Sequence, residues 1–247
     1  MRGLLKLTWL EIRIFVREPL GFVGAVVIPL VIFLLLGRSV SPGAGHSART
    51  TQFLAQDLPL FVSIFISINA ALSLVAVISI YREGGILKRL RATPLRPAVI
   101  LGAHVLVKLA FTGISLLLTV LAGRRFYPVT LHPHVAGFAF AVVVTTVTIL
   151  CMGFVIASMV PTARFAQVIG SAFLYPMLVI SGMFAPLSSL PRPWALLGRV
   201  LPMSHAVALL RGAWVGADWL ALLPHLGVLA LTIAICLALT TRVFRWE

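Results

Sequence analysis

Few residues of this 247-residue chain are suited to chemistry, and they lie far apart. Lys108 is the single formal charge in the stretch 98–123. Ser171 with His104, and Ser181 with His205, offer a nucleophile and a base, so an integral membrane hydrolase with a Ser/His site is one reading. Neither serine lies in a hydrolase motif, which weakens it. His132 and His134 flank Pro133 with no H-E-x-x-H and no cysteine nearby, so they read as solvated loop residues and not as metal ligands. His104 and His225 suit hydrogen bonds between helices better than ligation. Cys151 and Cys236 stand in apolar runs with no C-x-x-C, as buried small hydrophobes do. No G-x-x-x-x-G-K-[ST] phosphate loop occurs, so the chain has no recognisable ATP site.

The elements that must position these residues follow from composition. The chain is 60% hydrophobic and 11% charged, whereas a soluble domain has roughly 25% charged residues. Its 20 Lys and Arg against 6 Asp and Glu give a net charge of +14. Nucleic acid is not the implied partner, because the cations form short clusters between long apolar stretches and not a solvated face. Membrane lipid is. A spanning helix needs about 20 apolar residues, and six stretches qualify: 20–37, 58–81, 98–123, 135–162, 165–185 and 219–241. The expected fold is therefore an all-α integral membrane protein of one domain with six spans.

With both termini in the cytoplasm, 12 of the cations fall on inner segments and 7 on outer ones, in the sense of the positive-inside rule. Residues 1–19 differ from a signal peptide, since Glu11, Arg13, Arg17 and Glu18 interrupt them. Leu5, Trp9, Ile12 and Val16 recur at helical spacing, which predicts an amphipathic helix in the inner interface. The segment 186–218 is apolar but broken by Pro186, Pro191, Pro193 and Pro202 and carries Arg192, Arg199 and Arg211. It reads as short interfacial or re-entrant helices on the outer side.

Within this frame Lys108 lies ten residues past Ala98, about 15 Å up a helix. An ionisable group at that depth marks a substrate path, or its stem snorkels to the inner interface. Ser63, Ser67, Asn69, Ser73, Ser171 and Tyr175 place polar groups in the second and fifth spans. They line a path or a dimer seam, or serve ordinary helix packing. Lys108, Asn69, Ser73 and Tyr175 are the candidate path residues. Pro176 allows a bend in the fifth span.

The densest signal is Tyr81 to Pro97, YREGGILKRLRATPLRP. Ile86 and Leu90 are four apart beside Leu87, giving a short helix an apolar face, while Lys88, Arg89 and Arg91 point elsewhere. Thr93 before Pro94 biases the chain out of helical geometry. Glu83, Gly85, Leu87, Lys88, Arg89, Leu90, Arg91, Ala92, Thr93, Pro94 and Leu95 resemble the loop after the second span of the ATP-binding-cassette (ABC) type-2 export permeases. A second match is Ser181, Gly182, Pro186, Leu190 and Pro191 followed by Pro202, Ser204, His205, Ala206 and Arg211, similar to that family's outer series. Within it Gly182, Pro186, Pro191, Pro202, His205 and Arg211 form the outer re-entrant motif.

The resemblance implies a coupling helix at 82–92 that docks in a groove of a separate ATPase subunit. It implies two ATPase copies, a second copy of this permease or a related one, and ATP and Mg held on the partner chain, with no cofactor on this one. It also implies export of a hydrophobic or lipid-like substrate such as a drug, a lipid or a lipid-linked glycan, across the cell membrane. No enzyme activity is expected of this chain itself.

Overall fold

A computed structural model describes residues 2–17, 22–40, 58–85, 97–126, 135–160, 162–184 and 186–243. The described regular elements are helices. They are α1 (Arg2–Arg17), α2 (a π-turn Val23–Val27 running into Ile28–Val40), α3 (Leu58–Glu83), α4 (Pro97–Phe126) and α5 (Val135–Met159). There follow α6 (Ala163–Ile180), a 3₁₀ turn Leu187–Ser189, α7 (Arg192–Val200), α8 (Pro202–Val215) and α9 (Trp219–Val243). Helices are the expected solution where no water satisfies backbone groups, because each hydrogen-bonds within itself.

Five of these, α3, α4, α5, α6 and α9, are long and apolar enough to cross a bilayer. The chain is an all-α, multi-pass integral membrane protein. The first expected span, 20–37, is represented by α2, whose described apolar part is the shorter run Val23–Leu35. In the segment 186–218, α7 and α8 are bent 73° from each other at Leu201, a broken span or a re-entrant loop. Pro202 opens α8 at a position where its missing N–H costs no helical bond.

Several helix ends differ from the sequence expectation, those of α3 and α6 with a local cause. α3 continues to Glu83, so Arg82 and Glu83 belong to it, and residues 86–92 of the expected coupling helix lie outside the described residues. The helix stops because Gly84 N–H and Gly85 N–H close onto the Ile80 and Arg82 carbonyls, with Gly85 at φ 65°, a conformation open to glycine. The expected 165–185 span begins at Ala163 and ends at Ile180. Thr162 caps its start by accepting from Phe165 N–H at 3.4 Å, and Gly182 at φ 82° turns the chain after its end.

α3 and α5 form the centre of the molecule. Gly153 lets them approach closely, since a Cβ added there would lie 3.2 Å from Ala71 Cβ and 3.3 Å from Ala71 O. Small residues serve this role in membrane helices, where packing replaces the hydrophobic drive. Ser67 and Thr146 hydrogen-bond across the same seam at 2.9 Å, so Ser67 serves packing. α6, α8 and α9 surround this pair. The apolar window of α3 is 61% buried and that of α9 only 17%, which makes α9 a peripheral helix that shows most of its surface to lipid or a neighbour. A second cluster, Phe15, Val26, Val107 and Phe111, joins α1 and α2 to α4.

Candidate functional site

α1 has two working faces. Trp9, Leu10, Ile14 and Val16 are exposed, as suits a helix lying in an interface. Phe15 is buried and stacks on Phe111 of α4 with ring centroids 4.5 Å apart. One turn earlier, Glu11 accepts a hydrogen bond from the Tyr81 hydroxyl at 3.3 Å and lies 3.6 Å from His104 Nδ1. The Tyr81 and His104 rings meet edge-on at 5.5 Å. Burial, the dominant influence, raises the Glu11 carboxyl above its ordinary pKa, while the Tyr81 hydrogen bond and the charge of Lys108 pull it back.

Lys108 is next along α4, one turn past His104. Its side chain is only 5% exposed. The ammonium donates to Ser73 Oγ at 2.6 Å and sits 4.3 Å above the Phe15 ring, a cation–π contact. It therefore does not reach solvent, as a snorkelling stem would. In α4, which runs Pro97–Phe126, Lys108 lies about 16 Å along the axis from the helix start.

Lys108, Ser73 and Asn69 line one cavity of about 440 Å³ between α2, α3 and α4. The π-turn of α2 contributes Gly24 and Ala25 to its wall, and α6 contributes Gln167. Asn69 donates to the Phe65 carbonyl at 2.8 Å. Tyr175 is not part of this group. It lies with Pro176, Val179, Ile180, Leu190 and Trp194 around a separate apolar groove of about 580 Å³. Three of the four candidate path residues thus come together.

The C-terminal end of α3 is tied to its neighbours. Arg82 Nη1 donates to the Ser158 carbonyl at 2.9 Å, and Glu83 Oε1 accepts from Ala163 N–H at 2.7 Å. Glu83 thereby supplies an anion to the start of α6, where exposed N–H groups and the helix dipole favour one. Gly85 follows at the turn. Leu87, Lys88, Arg89, Leu90, Arg91, Thr93 and Pro94 lie outside the described residues.

After α6, Pro186 and Pro191 precede the 3₁₀ turn and α7, respectively. His205 Nε2 donates to the Arg199 carbonyl at 3.0 Å, and its Nδ1 meets His225 Nδ1 at 2.9 Å. Since a carbonyl only accepts, neutral His205 carries its proton on Nε2, and His225 then donates from Nδ1. This pair ties α8 to α9. Arg211 is exposed on α8.

Neither offered serine hydrogen-bonds to its histidine. Ser171 Oγ donates to the Val168 carbonyl and Ser181 Oγ to the Leu178 carbonyl, while His104 and His205 have the partners already given. Sequence reasoning missed Glu11 and Thr112. Glu11 had a signal, as the acid four residues before Phe15 in a basic helix. Thr112 had one too, at i+4 from Lys108 on the same face of α4.

An ABC-2 type transporter family model matches residues 2–215. Two curated proteins are similar in sequence. Nodulation protein J of Rhizobium leguminosarum bv. viciae is 25% identical over 140 residues, which is 56% of this chain and 51% of that protein. Nodulation protein J of Rhizobium leguminosarum bv. trifolii is 26% identical over 104 residues, 42% of this chain and 40% of that protein. The aligned region spans about half the length of these relatives or less.

Proposed function

The chain belongs to the ABC-2 type transporter family, and on that premise we propose that it is the permease subunit of an ATP-driven exporter. In this reading it sits in the cell membrane with both termini in the cytoplasm. A second permease copy, or a related permease, completes the translocation unit. Two copies of a separate ATPase subunit hold ATP and Mg and dock on the segment around 82–92, so this chain is not itself catalytic. The substrate is hydrophobic or lipid-like, of the drug, lipid or lipid-linked glycan kind, and its path includes Asn69, Ser73 and Lys108.

One observation carries this reading: the docking segment leaves α3 at a point where α3 is bonded to two other spans. The hydrogen bonds of Arg82 to Ser158 and of Glu83 to Ala163 join the inner ends of α3, α5 and α6. A push on the basic segment then acts on three helices together. One turn beyond Ala163, Gln167 lines the cavity that holds Lys108. Joint movement of α3, α5 and α6 against α2 and α4 therefore changes that cavity, which is what coupling hydrolysis to transport requires. Population of two such arrangements must differ with the nucleotide state of the partner.

The test uses the complex of this permease with its ATPase in vesicles. Glu83→Ala and Arg89→Ala are expected to lower transport at least tenfold while membrane insertion and ATP hydrolysis persist. Glu83→Gln keeps an oxygen acceptor for Ala163 N–H and is expected to recover most of the transport lost in Glu83→Ala. Full transport by the alanine variants overturns the assignment of this segment.

A further inference from the structure

The cavity between α2, α3 and α4 is lined in a way that selects a ligand. Lys108 is part of its wall, and no carboxylate is among the lining residues. Glu11, which the Lys108 charge also reaches, bonds Tyr81, lies beside His104 and is not among the lining residues. One turn past Lys108 on the same helix face, Thr112 also lines the cavity. It is 3% exposed, and its hydroxyl has no hydrogen-bond partner among the described residues. A buried unpaired hydroxyl is costly, and a ligand in this cavity would satisfy it.

The other polar groups have donors to offer as well. Ser73 Oγ accepts from Lys108, which leaves its own proton to donate elsewhere. Asn69 spends one amide proton on the Phe65 carbonyl and has a second. Residues that bring an ammonium, two hydroxyls and an amide to the wall of one cavity fit an anionic oxygen group such as phosphate, sulfate or carboxylate. Apart from Gln167 the remaining wall is apolar, with Ile66, Ala70, Leu72, Val77 and Phe111. A volume of about 440 Å³ is in the small-ligand range of roughly 300–1,000 Å³, enough for a head group and the first carbons of a chain but not for a whole lipid.

We propose that this cavity seats the anionic head group of a single-chain or longer amphiphile, with Lys108 as counter-ion, Thr112, Ser73 and Asn69 as donors, and the chain leaving along the apolar wall. This deepens the transport reading and rests on it for its role, since it names the substrate class the path accepts. The binding itself is independent of ATP.

The experiment measures binding to the full chain in neutral maltoside detergent by native mass spectrometry. The probes are dodecyl phosphate, dodecyltrimethylammonium and inorganic phosphate. Dodecyl phosphate is expected to bind at least tenfold more tightly than the other two. Lys108→Met is expected to lose at least tenfold of that affinity, and Lys108→Arg to keep most of it. Thr112→Val should lose severalfold while its thermal midpoint stays equal or rises, because the variant removes an unpaired buried hydroxyl. Equal binding of the cationic probe, or wild-type affinity in both Lys108→Met and Thr112→Val, overturns the proposal. Inorganic phosphate binding as tightly as dodecyl phosphate also overturns it, by making the site one for a soluble anion. If the chain binds dodecyl phosphate but no ATPase, the exporter reading fails and the site stands; if it couples to an ATPase but shows no anion preference, the reverse holds.

Discussion

Glu11 lies at the contact of α1 with the ends of α3 and α4, and its environment makes α1 responsive to pH. Tyr81, His104 and Lys108 are the titratable groups that surround the Glu11 carboxyl. Its pKa is raised by burial, so the docked helix binds the proton more tightly than a detached one does. By linkage, docking is favoured below the ordinary carboxylate range and weakens as pH rises through the raised value. Backbone hydrogen exchange of α1, corrected for intrinsic rates, is expected to show more protection at pH 4.5 than at pH 7. Glu11→Gln mimics the protonated acid and should hold protection high at both. A variant with the wild-type pH response would assign the effect to another group. Lys108 itself was legible in sequence as the lone charge of an apolar stretch. What covers it was not, because the placement of α1 and its Phe15 ring over the ammonium is decided by packing.

Among the elements, the α3–α5 seam has the least slack. Gly153 faces Ala71 Cβ and O and Val75 Cγ2 within 3.3 Å of an added Cβ. A branched side chain at that point must push two central spans apart or leave its rotamer minimum, at a cost of about 1–3 kcal/mol or more. Gly153→Leu is therefore expected to lower the thermal midpoint in detergent by several degrees and to cut the yield of folded protein. An unchanged midpoint would show that the helices are not in close contact there. The periodicity of the sequence located α3 and α5 to within a few residues, since both are continuous apolar runs. It could not say that Ser67 would serve that seam while Asn69 and Ser73 face a cavity. Residues two and six positions along a helix from Ser67 point elsewhere, but which direction is occupied depends on the neighbours.

At the scale of the molecule, α6 sets the distance between the two ends of the fold. Glu83 is bonded to its first residue, and the 3₁₀ turn Leu187–Ser189 follows its last. Its 18 residues span about 27 Å, close to the roughly 30 Å hydrocarbon core of a bilayer. Single cysteines at Gly84 and Ser188, in a chain whose Cys151 and Cys236 are replaced by alanine, should thus react with an impermeant thiol reagent from opposite sides. In inside-out vesicles only the Gly84 site is expected to label. Labelling of both from one side would refute the proposed topology. Both positions are exposed, so a negative result reflects sidedness and not burial.

The amino-acid sequence by itself determined that this chain lies in a membrane, that it is helical, and which family it resembles. Each of these follows from local features: apolar runs of spanning length, the clustering of cations, and the order of residues in Tyr81 to Pro97. The tertiary structure alone decided that Arg82 and Glu83 hold α5 and α6, that Lys108 bonds Ser73 under Phe15, and that Tyr175 lies apart from them. It also decided that Thr112 meets a cavity with its hydroxyl unpaired. These are contacts between residues tens of positions apart. Helical periodicity states which residues share a face, whereas only the packing of one helix on another states what that face meets.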